Sequence, residues 1–170
     1  MAAAEHYDVA IIGGGMVGAS LLCSLLPLVE RHGLRVAVIE AVPLYPQDTS
    51  NGSAAANSYQ PSYDARSTAL SWGSRNIFER LGLWPELLQR STPIKHIHVS
   101  DRGHFGVVRM KAADYDLDAL GYVVENGWLG QVLLGAVSAA SAVRYCFPAA
   151  VTMIKGAAGG AQMSRAVGRA

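Results

Sequence analysis

The pattern that most constrains this chain is Gly13-x-Gly15-x-x-Gly18. It lies directly between a short β-rich apolar run at residues 7–12 and a segment in which Val17, Leu21, Leu25 and Leu28 recur at helical spacing. Strand, glycine turn and helix in that order form the opening of a βαβ unit. Gly13 permits the tight turn, Gly15 leaves the backbone open to a pyrophosphate, and Gly18 lets helix and strand pack closely. The helix start offers unpaired N–H groups and a partial positive charge, so an anion is stabilised there without any basic side chain. Arg31, His32 and Gly33 close the helix, and residues 34–40 form a second strand. Glu40 ends that strand, where a carboxylate can accept hydrogen bonds from ribose hydroxyls and would repel a 2′-phosphate. These forty residues therefore suit an adenosine diphosphate moiety.

Composition agrees with a buried α/β sheet: hydrophobic residues make up 51% of the 170 residues, charged residues 16%, and there are 18 glycines. The net charge of +1, with no basic stripe, argues against a nucleic-acid partner. The N-terminus lacks a basic region before its apolar run and reads as a strand rather than a leader. No apolar stretch reaches the roughly 18 to 20 residues that span a bilayer. Two cysteines, Cys23 and Cys146, give no disulfide framework; Cys23, in an apolar helix, reads as a buried thiol, and a cytoplasmic setting is expected.

Beyond Glu40, residues 41–62 are polar, small and without period, which predicts a long loop that either covers a ligand or is a surface insertion. Residues 67–81 read as a helix with Leu70, Ile77, Phe78 and Leu81 on one face, ended by Gly82. Residues 94–100 and 106–110 read as two strands joined by the turn Asp101-Arg102-Gly103-His104. A strand at residues 120–124, a helix at 128–141 and a strand at 143–147 follow. Residues 156–170, rich in Gly and Ala, read as a flexible tail. His96, His98 and His104 read as a solvated strand face, no metal site is expected, and Trp72, Trp84 and Trp128 read as packing residues.

Asp64-Ala65-Arg66-Ser67-Thr68-Ala69-Leu70, followed by Leu81-Gly82-Leu83-Trp84, resembles the D-x-R-x-x-A-L segment of flavin-dependent aromatic hydroxylases of the para-hydroxybenzoate hydroxylase type. Within that superfamily, residues 97–106 and Gly121-Tyr122-Val123-Val124-Glu125-Asn126 look most like the 2-polyprenyl-6-methoxyphenol hydroxylases of ubiquinone biosynthesis. The resemblance implies a Rossmann-like FAD-binding domain with a parallel sheet plus the start of a β-rich substrate domain, with the C-terminal part of the fold missing. It divides the chain into residues 1–90 (first part of the FAD-binding domain), 91–118 (hairpin of a partial substrate domain), 119–155 (return to the FAD-binding domain) and the 156–170 tail.

Carried over by position, the resemblance gives Arg66 a contact to FAD and places Asn126, or its neighbour Glu125, close to it, beside the Gly13, Gly15, Gly18 and Glu40 set that the motif itself supplies. It assigns no catalytic side chain. Read without it, Arg66 is a surface cation paired with Asp64 or Glu79. The implied activity is monooxygenation of a polyprenylated methoxyphenol, with NAD(P)H as transient reductant and O₂ as co-substrate. Peripheral association with the inner face of the membrane, or with a ubiquinone-biosynthesis complex, goes with it. A NAD-binding dehydrogenase or regulatory module, and a non-enzymatic dinucleotide-binding fragment, are the alternatives.

Overall fold

A computed structural model describes residues 5–42, 63–138 and 140–167 of the chain. Its elements are β1 (Val9–Ile12), α1 (Met16–His32), β2 (Val36–Ile39), β3 (Ser67–Ser71), α2 (Trp72–Arg80), α3 (Trp84–Leu88), β4 (Ser91–Ile94) and β5 (His96–Ser100). They continue as β6 (Val107–Lys111), a 3-10 turn (Ala112–Tyr115), β7 (Gly121–Glu125), α4 (Asn126–Ser138), β8 (Val143–Cys146), β9 (Ala149–Ala157) and β10 (Gly160–Val167). The expected loop at residues 41–62 falls almost wholly outside the described residues.

The chain divides into two units, Met1–Ser62 with Leu133–Ala170 and Tyr63–Val132. Within the second unit β3 hydrogen-bonds along β7, from Ser67 opposite Glu125 to Ser71 opposite Gly121, which joins residues 67–71 to residues 121–125.

In the first unit β1, β2 and β8 form a parallel sheet, with Val9 opposite Val36 and Val36 opposite Val143. Val36, Ala37, Val38 and Ile39 of the central strand are all buried, which explains a strand without polar alternation. Helix α1 buries Ala19, Leu22, Cys23 and Val29. The apolar residues that announced this helix lie largely on its other side: Val17, Leu21 and Leu28 are exposed, Val17 at 84%. The helix is apolar on more than one face, so spacing finds it without telling which stripe packs. Gly33 closes it in the left-handed conformation, φ 62°, and donates its N–H to Val29 O.

Residues 156–167 correct the reading of a structureless tail. β9 and β10 pair antiparallel with Gly160 opposite Ala157, leaving Ala158 and Gly159 as a two-residue turn, and Gly159 has φ 80°. The Gly/Ala content that resembles low complexity is a hairpin with small side chains. Its base joins the core through Ala149, packed with Ile39, Cys146, Val151 and Met163.

In the second unit β3, β7 and β4 form an antiparallel sheet with β7 central. The helix expected from residue 67 begins only at Trp72. Residues 67–71 are extended, and the Ser71 side chain caps α2 by accepting the Ser74 N–H at 3.2 Å. Leu70 is buried from the strand, whereas Ile77 of the expected helical face is exposed. Trp84 is buried edge-on to Tyr122 with centroids 4.7 Å apart, the Arg75 guanidinium lies over Trp72 and Trp84, and Trp128 donates its indole N–H to Glu86 O, so all three tryptophans serve packing. Strands β5 and β6 form the expected hairpin. Gly103 turns it at φ 86° and Asp101 pairs with His104 at 2.9 Å, so Asp101-Arg102-Gly103 is a turn. Among the described residues, no helix is long and apolar enough to cross a membrane.

Candidate functional site

The glycine loop is built where β1 ends. Gly13 sits at φ 98°, a conformation that L side chains rarely adopt, and its N–H donates to Ile39 O at 2.8 Å, fastening the loop to the end of β2. Gly15 is the N-cap of α1, with no side-chain cap and no acidic residue in the first turn, so the first-turn N–H groups face no protein carboxylate of their own helix. Gly18 has a steric reason to be glycine. A Cβ there would stand 1.9 Å from Gly13 O, closer than any side chain tolerates, and 3.2 Å from Ile11 Cγ2, a tight contact. Its role is the close packing of α1 on the loop that the spacing implied.

Glu40 reaches back across the same loop. Its Oε2 accepts the Gly14 N–H at 2.7 Å and its Oε1 accepts the Val42 N–H at 3.0 Å. The carboxylate is thus held at the glycine turn by two backbone donors, one of them on Gly14, a residue that motif spacing passes over. In parallel, the Glu40 main chain stitches the sheet: its N–H donates to Cys146 O and its carbonyl accepts from Ala149. Four sequence-assigned residues, Gly13, Gly15, Gly18 and Glu40, are therefore brought together in one unit. A helix start with no side-chain cap among the described residues, held close to the loop at Gly18, and a fixed carboxylate beside it fit the phosphates and ribose of a dinucleotide.

Arg66, Glu125 and Asn126 lie together in the second unit. Asn126 opens α4 and is 5% exposed. Its Oδ1 accepts the Thr68 hydroxyl at 2.6 Å, its Nδ2 donates to Asp64 Oδ1 at 3.4 Å, and its main-chain N–H donates to Arg66 O at 2.8 Å. The next N–H, that of Gly127, donates to Asp64 O at 3.0 Å. The Asp64-x-Arg66 segment thus supplies acceptors to the first turn of α4, which otherwise lacks intrahelical partners. Gly130, one turn on, has no room for a Cβ because the Tyr63 ring would be 2.3 Å away.

The Asp64 carboxylate is the hub. It accepts the Arg66 N–H at 3.0 Å and Arg66 Nε at 2.6 Å. Burial pushes this carboxyl up, but the Arg66 N–H and guanidinium, with Asn126, outweigh it and hold Asp64 below its ordinary value. Arg66 keeps a side chain that is 71% exposed while pivoted on Asp64, the pairing its residue type suggested. Glu125, the last residue of β7, is exposed. Thr68 and Asp64, which motif reading left unassigned, hold Asn126 and Arg66 by hydrogen bonds, and their signal was present only as the D-x-R spacing.

A model of the family described as FAD dependent oxidoreductase matches residues 8–161. The chain belongs to that family. The chain is 31% identical over 148 residues to a protein named ubiquinone hydroxylase UbiL from Rhodospirillum rubrum, covering 87% of this chain and 31% of that one. It is 34% identical over 136 residues to the 3-demethoxyubiquinol 3-hydroxylase of Escherichia coli, covering 79% of this chain and 31% of the relative. Among solved structures, the flavin-dependent monooxygenase PieE, in complex with FAD and substrate, superimposes with a TM-score of 0.67 at 16% identity, over 96% of this chain and 27% of that one. The fold is that of FAD-binding monooxygenases, and the chain spans about a third of the length of the curated relatives it matches. The glycine loop and Glu40 therefore belong to an FAD-dependent fold rather than to a generic nucleotide cradle.

Proposed function

We propose that this chain forms the ADP-gripping part of an FAD-dependent monooxygenase that hydroxylates a polyprenylated methoxyphenol in ubiquinone biosynthesis. The observation that carries the reading is the Glu40 carboxylate fixed 2.7 Å from the Gly14 N–H beside the uncapped start of α1. The names of the relatives, ubiquinone hydroxylases of two bacteria, supply the substrate class. In this reading the first-turn N–H groups of α1, from Gly15 onward, hold the pyrophosphate, and Glu40 accepts from the ribose hydroxyls. Gly18 keeps α1 close enough for both. Arg66 contributes a guanidinium to the cofactor, aimed by its Nε bond to Asp64, while Asn126 fixes the backbone that carries it. Glu125, exposed at the end of β7, lies beside that segment.

When bound, FAD supplies the redox chemistry, with electrons from NAD(P)H and activation of O₂ toward an electron-rich ring. The residues named here bind and orient; none of them is assigned a proton transfer. The test has two stages. After incubation with FAD and gel filtration, the chain is expected to elute with a flavin absorption band. Supplied with the remaining length of a matched relative, it is expected to support NAD(P)H oxidation that a polyprenyl methoxyphenol stimulates. A colourless chain would refute the cofactor assignment. Flavin retention with turnover indifferent to the phenol would refute the substrate class.

A further inference from the structure

A cleft of about 510 Å³ opens at the amino ends of β1, β2 and β8. The glycine loop follows the carboxyl end of β1, so the four-residue strand separates the two by roughly 13 Å at about 3.3 Å per residue. Two arginines from segments distant in sequence reach one carboxylate there, and a third lines the same cleft. Tyr7 donates its hydroxyl to Glu5 Oε2 at 2.7 Å. Arg144 Nη2, from β8, lies 3.7 Å from Glu5 Oε1, and Arg165 Nη2, from β10, lies 3.9 Å from Glu5 Oε2. Arg35, preceding β2, lines the same cleft with its guanidinium 5.4 Å above the Tyr7 ring, and its main-chain N–H is taken by Asp8 at 2.7 Å.

Two guanidiniums paired with Glu5, and Arg35 beside them, outnumber the carboxylates of Glu5 and Asp8 by one, and the geometry is loose. Charge-assisted bonds between guanidinium and carboxylate close to about 2.7–2.9 Å. Here both ion pairs stop near 4 Å, so neither guanidinium closes on the carboxylate. Arginine is the side chain suited to multidentate phosphate recognition, and no lysine lines this cleft. The Tyr7 hydroxyl, followed by the Arg144 guanidinium, holds the Glu5 carboxyl below its ordinary range.

We infer that this cleft is a second anion site, built by Arg35, Arg144 and Arg165 to take a phosphate or diphosphate group, with Glu5 occupying it as an internal plug. An incoming phosphate displaces the Glu5 carboxylate, so removing that charge strengthens binding while removing the guanidiniums weakens it. Either a free phosphate compound or an anionic lipid headgroup presents this chemistry.

The test titrates inorganic pyrophosphate calorimetrically into the full chain at low salt. The combined Arg144→Ala and Arg165→Ala variant is expected to lose affinity by about tenfold or more, the scale of one charge-assisted hydrogen bond. Glu5→Gln is expected to gain severalfold, a result that no unfolding could mimic. Pyrophosphate affinity unchanged in both variants overturns the site and returns the anion to the glycine loop. Sedimentation with phosphatidylcholine vesicles, with and without phosphatidic acid, distinguishes the sources. Retention on the acidic vesicles that is lost in the arginine variant identifies a headgroup, and pyrophosphate binding without vesicle retention identifies a free phosphate.

Discussion

Gly18→Ala is the sharpest perturbation of the glycine loop, because the structure sets its size. The new Cβ would lie 1.9 Å from Gly13 O, where real Cβ atoms stay beyond 3.0 Å, so α1 and the loop must separate by about 1 Å. The obstruction is a backbone carbonyl whose residue is tied to Ile39 O at 2.8 Å, so no rotamer change relieves it. Overpacking of this kind costs about 1–3 kcal/mol, against which alanine's helix preference returns about 1 kcal/mol. The expected loss on urea denaturation is therefore about 0–2 kcal/mol. Binding suffers more than stability, since the same shift moves the N–H groups offered to the pyrophosphate. ADP affinity by calorimetry is expected to fall about tenfold or more, the worth of one charge-assisted hydrogen bond. Gly135→Ala is the control: it lies in α4 with nothing within 4 Å of its Cβ, and there alanine is expected to stabilise by about 0.5–1 kcal/mol. A Gly18→Ala chain as stable as its parent, with ADP affinity intact, would refute the steric account of the loop.

Further outcomes follow from the second cluster and the buried thiol. Asn126→Ala strands the Thr68 hydroxyl and one Asp64 contact at a site 5% exposed, and is expected to cost about 1–3 kcal/mol in urea denaturation. Asp64 is depressed below its ordinary 3.8 in the folded state, so its contribution is complete above that value and is lost as pH falls through the folded one. The Tm gap between parent and Asp64→Asn is accordingly expected to narrow on acidification below about pH 4, and a gap that widens there contradicts the assignment. Burial pushes the Cys23 thiol up to about 11 and its Sγ lies 3.8 Å from Leu133 O. Labelling of Cys23 by iodoacetamide at mildly alkaline pH is expected only after urea is added, as mass spectrometry of the modified peptide reports. Rapid labelling of the native chain would show α1 packed otherwise.

What the sequence revealed and what it hid divide along the range of the interactions. The Gly13-x-Gly15-x-x-Gly18 turn, the Gly33 cap and the Asp101 to His104 hairpin turn depend on neighbouring residues, and each is legible locally. The buried face of α1 was not, because Val17, Leu21 and Leu28 repeat as regularly as the residues that pack. Residues 67–71 have serine, threonine and alanine suited to a helix start, yet β7, more than fifty residues away, claims them as a strand. Propensity there yields to tertiary pairing. β10 was concealed by composition, since glycine and alanine flank a two-residue turn whose strands show little hydrophobic alternation. In the site, Glu40 was placed by its distance from Gly18. Its bond to Gly14, and the tie from Thr68 through Asn126 to Asp64, required the fold to bring together residues 26, 58 and 62 positions apart.

The central claim, that the loop of Gly13, Gly15 and Gly18 with Glu40 grips the ADP half of FAD, is tested most directly by comparing three ligands on one chain. Calorimetric titration with FAD, ADP and FMN separates the two ends of the cofactor. Comparable binding of FAD and ADP, weakened in both cases by Gly18→Ala, with little affinity for FMN, is the predicted result. FMN binding as tightly as FAD, or FAD binding with no measurable affinity for ADP, contradicts it.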